Sequence, residues 1–241
     1  MAEQEIIKHT KKVLKVSRDS SKNLKEKLGE ILIEIFIIVF AVSLSLYLHE
    51  RAERNGERHL QDEFLLGLKE DLQSDIRELS GDSLSYVKML NGFRYFKRLG
   101  LEQSGPADSI SDYWNTLFST ADLQPNDSRF QGLKSAGKLY VIEHKKLLND
   151  ILDLYQENIP ALLRATNLFS DFKVNKLSAF LESKMVFVSK TDNNLKALLK
   201  ESSQLRFYLS SDDFILDIIR RYHEVLQQCR MIIAEISKEV E

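Results

Sequence analysis

The chain has 241 residues, 43% of them hydrophobic and 29% charged, with a formal net charge of −2. That composition suits a chain with a real core, in one large domain or two small ones, and the near-neutral charge excludes a global pull toward nucleic acid. A single cysteine, Cys229, excludes an internal disulfide and a cysteine-based zinc site, while three prolines and nine glycines favour long helices over many short strands.

Residues 1–29 form a basic leader with Lys8, Lys11, Lys12, Lys15, Arg18, Lys22, Lys25 and Lys27, diluted by Glu3, Glu5, Asp19 and Glu26. An apolar run follows from Ile31 to Leu48, interrupted by Glu34, Ser43 and Ser45. As a helix it spans about 27 Å, close to the hydrocarbon thickness of a bilayer. Ile31, Ile35, Ile38, Val42, Leu46 and Leu48 mark it, and the segment 30–48 is expected to cross a membrane. A buried core helix rarely stays apolar on every face for so long. A cleaved signal peptide would need a shorter leader and a small-x-small site, whereas this run exits into "HERAERNGER". Basic residues before the span outnumber Arg51, Arg54 and Arg58 just after it, which predicts a cytoplasmic N-terminus and an extracytoplasmic bulk.

Glu34 admits two readings. It snorkels or is protonated near the interface, or it shares a helical stripe with the small residues Ala41 and Ser45 that lets two membrane helices approach closely.

Residues 49–62 are mostly charged and read as a helical stalk, with 63–241 as a helical bundle. Phe64, Leu65, Leu68, Leu72, Ile76 and Leu79 recur at helical spacing. "SGDS" at 80–83 predicts a break or kink before Leu84, Val87, Leu90 and Phe93 resume the pattern. Residues 99–109 read as a loop, followed by a short helical piece around Tyr113, Trp114 and Leu117 that ends near Pro125.

"GLKSAGKL" at 132–139 has the spacing of a phosphate-binding loop, G-x-x-x-x-G-K. That loop requires a buried strand before it and a Ser or Thr after the lysine. Here "QPNDSRFQ" precedes it and Leu139 follows Lys138, so a helix-hairpin turn at Ser135 and Gly137 is the better account. Ser128 with Gln131 predicts a capping box, Phe130 and Leu133 point inward, and Gly137 suits a left-handed helix end.

Leu147, Leu148, Ile151, Leu152, Tyr155, Ile159, Leu162 and Leu163 make one face, prolonged by Leu177, Phe180 and Leu181, with a kink or new start at Pro160. "SSDD" at 210–213 predicts a capped helix with the stripe Ile215, Ile218, Ile219, Tyr222, Leu226, Cys229, Ile233 and Ile236. No alternating run argues for strands, and the fold expected is all-α.

Among the histidines, His9, His49, His59, His144 and His223, none stands at zinc-ligand spacing from another. "HERAE" at 49–53 lacks the second histidine of a zincin, no G-x-S-x-G occurs, and Cys229 on an apolar stripe reads as inert core. No pair of E-x-x-H motifs supports a di-iron bundle. The expectation is a protein without catalytic, cofactor, metal or nucleotide sites.

"GEI" at 29–31, "LKEDLQSDIREL" at 68–79 and "LQPNDSRFQGLKSAGKLYVIEHKKLLNDILDLY" at 123–155 resemble an uncharacterised family of bacterial single-pass membrane proteins. Leu133, Ser135, Gly137, Leu139, Ile142, Leu147, Ile151 and Tyr155 carry the match. The resemblance implies an N-terminal membrane helix with a helical extracytoplasmic domain, and it implies no activity. The expectation is therefore an inner-membrane structural or interaction protein whose periplasmic bundle docks a protein partner or self-assembles. A periplasmic sensory module, with Lys173, Arg220 or Arg221 lining a ligand pocket and a separate transducer, is the alternative. An enzyme with dispersed catalytic residues is the third.

Overall fold

The structure is a computed structural model that describes Ile7, Lys8, Thr10, Lys11 and residues 24–101 and 109–240. The remainder of the basic leader and most of the 99–109 loop therefore lie outside the described residues. The protein is all-α. Its order is α1 (Leu24–Gly100), α2 (Ser109–Tyr113), a 3-10 turn (Trp114–Leu117), α3 (Ser128–Ser135), a 3-10 turn (Leu139–Val141) and α4 (Lys145–Asp153). A π turn (Leu154–Asn158), α5 (Ile159–Phe172), a second π turn (Lys173–Ser178), α6 (Ala179–Lys184), α7 (Leu195–Glu201), α8 (Ser203–Tyr208) and α9 (Asp212–Glu239) complete it. Two compact units meet at Gln61 and Asp62, within α1.

In the first unit, α1 begins with a run long and apolar enough to cross a membrane. Ile35, Val42, Leu46 and Leu48 are exposed, while Ile31 and Ile38 are half-buried. Residues 49–56 continue the same helix, fully exposed.

In the second unit, the break expected at "SGDS" is absent, because α1 runs through it without interruption. Leu65, Leu72, Leu79, Tyr86 and Phe93 are wholly buried at seven-residue intervals, as are Leu68, Asp75 and Phe96 on the companion positions. This heptad register puts Ser83 and Tyr86 inside and leaves Leu84 and Val87 exposed, which corrects the expected phase after residue 80. Helical hydrogen bonds carry Gly81 in the helix at a cost of about 1 kcal/mol, which packing on both sides outweighs.

The direction of each leg follows from its partners. Lys69 donates to Ser237 Oγ (2.9 Å), Tyr222 donates to Asp82 (3.3 Å) and Arg94 pairs with Asp212 (2.8 Å), so α9 runs antiparallel to α1. Lys146 pairs with Glu235, Gln228 donates to the Asp150 carbonyl (2.9 Å) and Phe169 meets Phe214 edge-on, so α4–α6 also run antiparallel to α9. Consequently α4–α6 lie parallel to α1. Phe169 binds the three legs together, with ring centroids 5.9 Å from Tyr86, 6.1 Å from Phe93 and 5.5 Å from Phe214.

Two expected caps differ in detail. Asp127, one residue before Ser128, occupies the N-cap position of α3 without a side-chain bond to the helix N–H groups, and Gln131 Nε2 donates back to its carboxylate (2.9 Å). Ser211 precedes α9 but donates its hydroxyl to the Tyr208 carbonyl (2.8 Å), leaving Asp212 and Asp213 to complement the helix dipole. In the α9 stripe, Val225 and Ile232 are buried and Ile233 is only half-buried.

The 132–139 segment ends a helix. Gly137 has φ 67°, Lys138 N–H reaches the Leu133 carbonyl (3.1 Å) and Gly137 N–H the Lys134 carbonyl (3.0 Å), the paired bonds of a Schellman cap. Ser135, Lys134 and Lys138 are exposed. Gly137→Ala should therefore lower stability by about 1 kcal/mol through left-handed strain. Lys138→Ala should leave it unchanged, and denaturant unfolding of the two variants checks both.

Candidate functional site

A parallel pair of legs needs a return path, and between α2 and α3 the return is not helical. Residues 119–127 carry neither helix nor strand and lie along α1 in the opposite sense. Asn126 N–H and its amide both donate to Asp75 Oδ1 (3.1 and 2.6 Å). Gln124 N–H donates to Glu78 (2.8 Å), and Tyr86 OH donates to the Ala121 carbonyl (2.9 Å). Strap positions thus descend as α1 positions rise. The lengths agree: eleven helical residues from Asp75 to Tyr86 rise about 16 Å, and five extended residues from Ala121 to Asn126 span about the same.

The upper end of the strap is held by Lys173, the first residue of the second π turn. Its Nζ donates to the Thr116 carbonyl (2.7 Å), to the Ser119 carbonyl and to Met89 Sδ (3.7 Å). It also sits 5.9 and 5.8 Å from the ring centres of Phe93 and Phe169. The side chain is fully buried, and among the described residues no carboxylate pairs with it. Burial alone pulls its pKa down from 10.5 to about 7. Gly92 allows the approach, since a Cβ there would lie 2.2 Å from Thr116 Oγ1.

The carboxylates of the same face are shifted the other way. Burial raises Asp75, opposed by its bonds from Asn126, and raises Asp82, where Glu78 adds repulsion and the Tyr222 hydroxyl partly offsets it. Tyr86, Tyr155 and Tyr222 are all raised by burial first, so these phenols stay neutral. Tyr155 OH finds no hydrogen-bond partner among the described residues, its ring stacked 4.7 Å from Phe130. Burial pushes the Cys229 thiol up to about 12, which keeps it protonated and unreactive.

The residues singled out in the sequence are dispersed. Lys173 is inside, whereas Arg220 pairs with Asp217 and Glu224 (both 2.5 Å) and Arg221 with Asp217 (2.7 Å), so the three do not share a pocket. In the first unit Glu34 is buried while Ala41 and Ser45 are exposed. His223 is exposed. Sequence reasoning missed Asp75, Glu78, Tyr86 and Thr116, although Asp75 standing between Leu72 and Leu79 on the inward face was a visible sign.

Between α6 and α7 a tongue folds back on itself, with Val188 N–H bonded to Asp192 O (3.0 Å) and Asn194 N–H to Val186 O (3.2 Å). It presents Val186, Phe187 and Val188, which are 67%, 53% and 71% exposed. Phe187 stacks on Trp114 at 5.4 Å, and Trp114 in turn meets Phe118 at 5.8 Å.

Fold and site together define an all-helical bundle with one N-terminal helix apolar enough to span a membrane, and with the buried Asp75 and Lys173 holding a strap. No protein-family model matches the chain, and neither a curated protein nor a solved structure matches it.

Two outcomes follow for the strap. Between about pH 7 and 9 the unfolded chain holds a proton on Lys173 that the folded chain lacks, so stability should rise with pH there, while at higher pH the Cys229 thiol, still protonated in the folded chain, acts the other way. The slope should not exceed about 1.4 kcal/mol per pH unit and should vanish in Lys173→Met, as read from denaturant midpoints at several pH values. Asp75→Ala removes the acceptor for two donors of the exposed Asn126 and should cost about 1 kcal/mol, measured in the same way.

Proposed function

We propose that the chain is a membrane-anchored interaction protein, held in a bacterial inner membrane by residues 30–48, with a cytoplasmic N-terminus and a periplasmic bundle that docks a protein partner. The anchor reading is supported by the exposed apolar surface at the start of α1. Its direction is supported by the basic excess ahead of the span. The resemblance of residues 123–155 to a single-pass bacterial family agrees with this arrangement.

The observation that carries the docking role is the tongue. Its backbone bonds fix three consecutive apolar side chains outward, and the Trp114 ring beneath holds Phe187 in place. A rigid aromatic anchor of this kind loses little entropy on binding, which is the character of an interface hot spot. Lys184, Lys190 and Lys196 are exposed around it and favour an acidic rim on the partner.

The sensory alternative is favoured by a different feature, a depression of about 470 Å³ lined by Asn91, Arg94, Lys97, Arg98, Leu101 and Tyr113. Its cations suit a small carboxylate or phosphate ligand, although Arg94 is already engaged by Asp212.

Two experiments test the principal reading. Alkaline phosphatase joined after Glu241 should be active, and an inactive fusion of normal abundance would reverse the orientation. Replacing Val186, Phe187 and Val188 by Ser should leave circular dichroism unchanged and weaken partner capture from solubilised membranes by about tenfold or more. Loss of crosslinking between tagged copies instead would make the partner a second copy.

A further inference from the structure

The charges beyond Leu48 are sorted around α1. With successive residues turned by about 100°, Tyr47, Arg51, Arg54 and Arg58 fall within an arc of about 60°. Glu50, Glu53 and Glu57 occupy the neighbouring arc. The arginines are exposed, and with Tyr47 and Asn55 they line a depression of about 340 Å³. Arg51 Nη1 donates to Tyr47 OH (3.3 Å), and Arg54 makes a loose pair with Glu50 (3.8 Å). Arg51 and Arg58 have no carboxylate partner among the described residues.

Distance along the helix places this face. Arg51 lies about 5 Å and Arg54 about 9 Å beyond Leu48, and Arg58 about 15 Å. The headgroup layer is about 5–7 Å deep on each side of the hydrocarbon. Arg51 therefore stands within that layer and Arg54 at its outer edge, while the long side chain of Arg58 reaches back toward it. Tyrosine is favoured at the same level, and forked guanidinium donors match phosphate oxygens. A helix merely solvated by water would gain more from mixing its signs around the axis than from sorting them.

We propose that this face binds the phosphates of anionic phospholipid headgroups in the leaflet from which α1 emerges. Arg51 and Arg54 would serve as direct donors, with Arg58 completing the site. The inference rests on residues 30–48 spanning the membrane.

The test uses the full chain reconstituted in phosphatidylcholine vesicles containing some phosphatidylglycerol, with a fluorophore attached through Asn55→Cys, Cys229 being buried. Nitroxide-labelled phosphatidylglycerol should quench the fluorophore several-fold more than equally labelled phosphatidylcholine. The preference should disappear in Arg51→Gln/Arg54→Gln/Arg58→Gln, survive in the corresponding triple Lys variant, and weaken at high salt. Gln has nearly the helix propensity of Arg, so the variant keeps the helix. A chain that resists alkaline carbonate extraction yet is quenched equally by both lipids would overturn the headgroup site while leaving the anchor standing. Extraction by carbonate would overturn both. Oxidative dimerisation of the Asn55→Cys chain without lipid quenching would assign the face to a second copy and overturn the proposal.

Discussion

An extended chain laid along a helix has few backbone partners of its own, and in the second unit side chains of the bundle supply several of them. A helical return leg would satisfy its own N–H and C=O groups, whereas residues 119–127 cannot. The donors and acceptors come from the helix they cross, at Asp75, Glu78 and Tyr86, and from Lys173 on the opposite leg. Only Leu123 of the strap is buried, so these bonds fix where the strap lies along α1. Asp75 within the heptad stripe thus serves to hold a crossover that is too short to be another long helix.

Lys173 illustrates the balance of forces. A lysine buried without a carboxylate is costly, and the lowered pKa expresses that cost. Two carbonyls, a thioether and two ring faces offset part of it, and the amine can keep donating to both carbonyls after losing its proton. Its position at the start of a π turn matters as well. One extra residue per turn shifts the phase of the side chains, and such a shift lets a polar group point inward from an otherwise apolar face. Both π turns lie in the leg parallel to α1, where Leu154 and Tyr155 at the first turn and Leu177 at the second remain buried.

Much of this architecture was legible in the sequence, for identifiable reasons. Helix class, the long apolar run, the left-handed Gly137 and the inward Phe130 and Leu133 all follow from local rules. The phase error after "SGDS" arose because turn-like residues were weighed above the register, and the register is set by packing many residues away. Counting in sevens from Leu65 would have reached Tyr86 and exposed Leu84. The strap itself had only indirect signs, since its partners lie 35 to 57 residues distant in sequence. The tongue was missed for a related reason: "MVFVSK" has strand-like composition, and only the structure shows that it makes a single bridge, Phe187 with Asn193, rather than joining a sheet.

On the proposed anchor, the segment after Leu48 obeys a separate logic. Orientation is set mainly by lysines and arginines close to the span, and nearby acids count for little. The arginines after Leu48 therefore narrow the margin of the leader, even though Glu50, Glu53 and Glu57 nearly neutralise the stretch. A purely topological requirement would favour removing those arginines. Their restriction to one arc, with tyrosine at its inner end, is instead the pattern expected when interfacial contact opposes the cost of a weaker topological signal. Sorting by angle distinguishes the two pressures, because topology depends on how many charges there are and headgroup binding depends on which way they face.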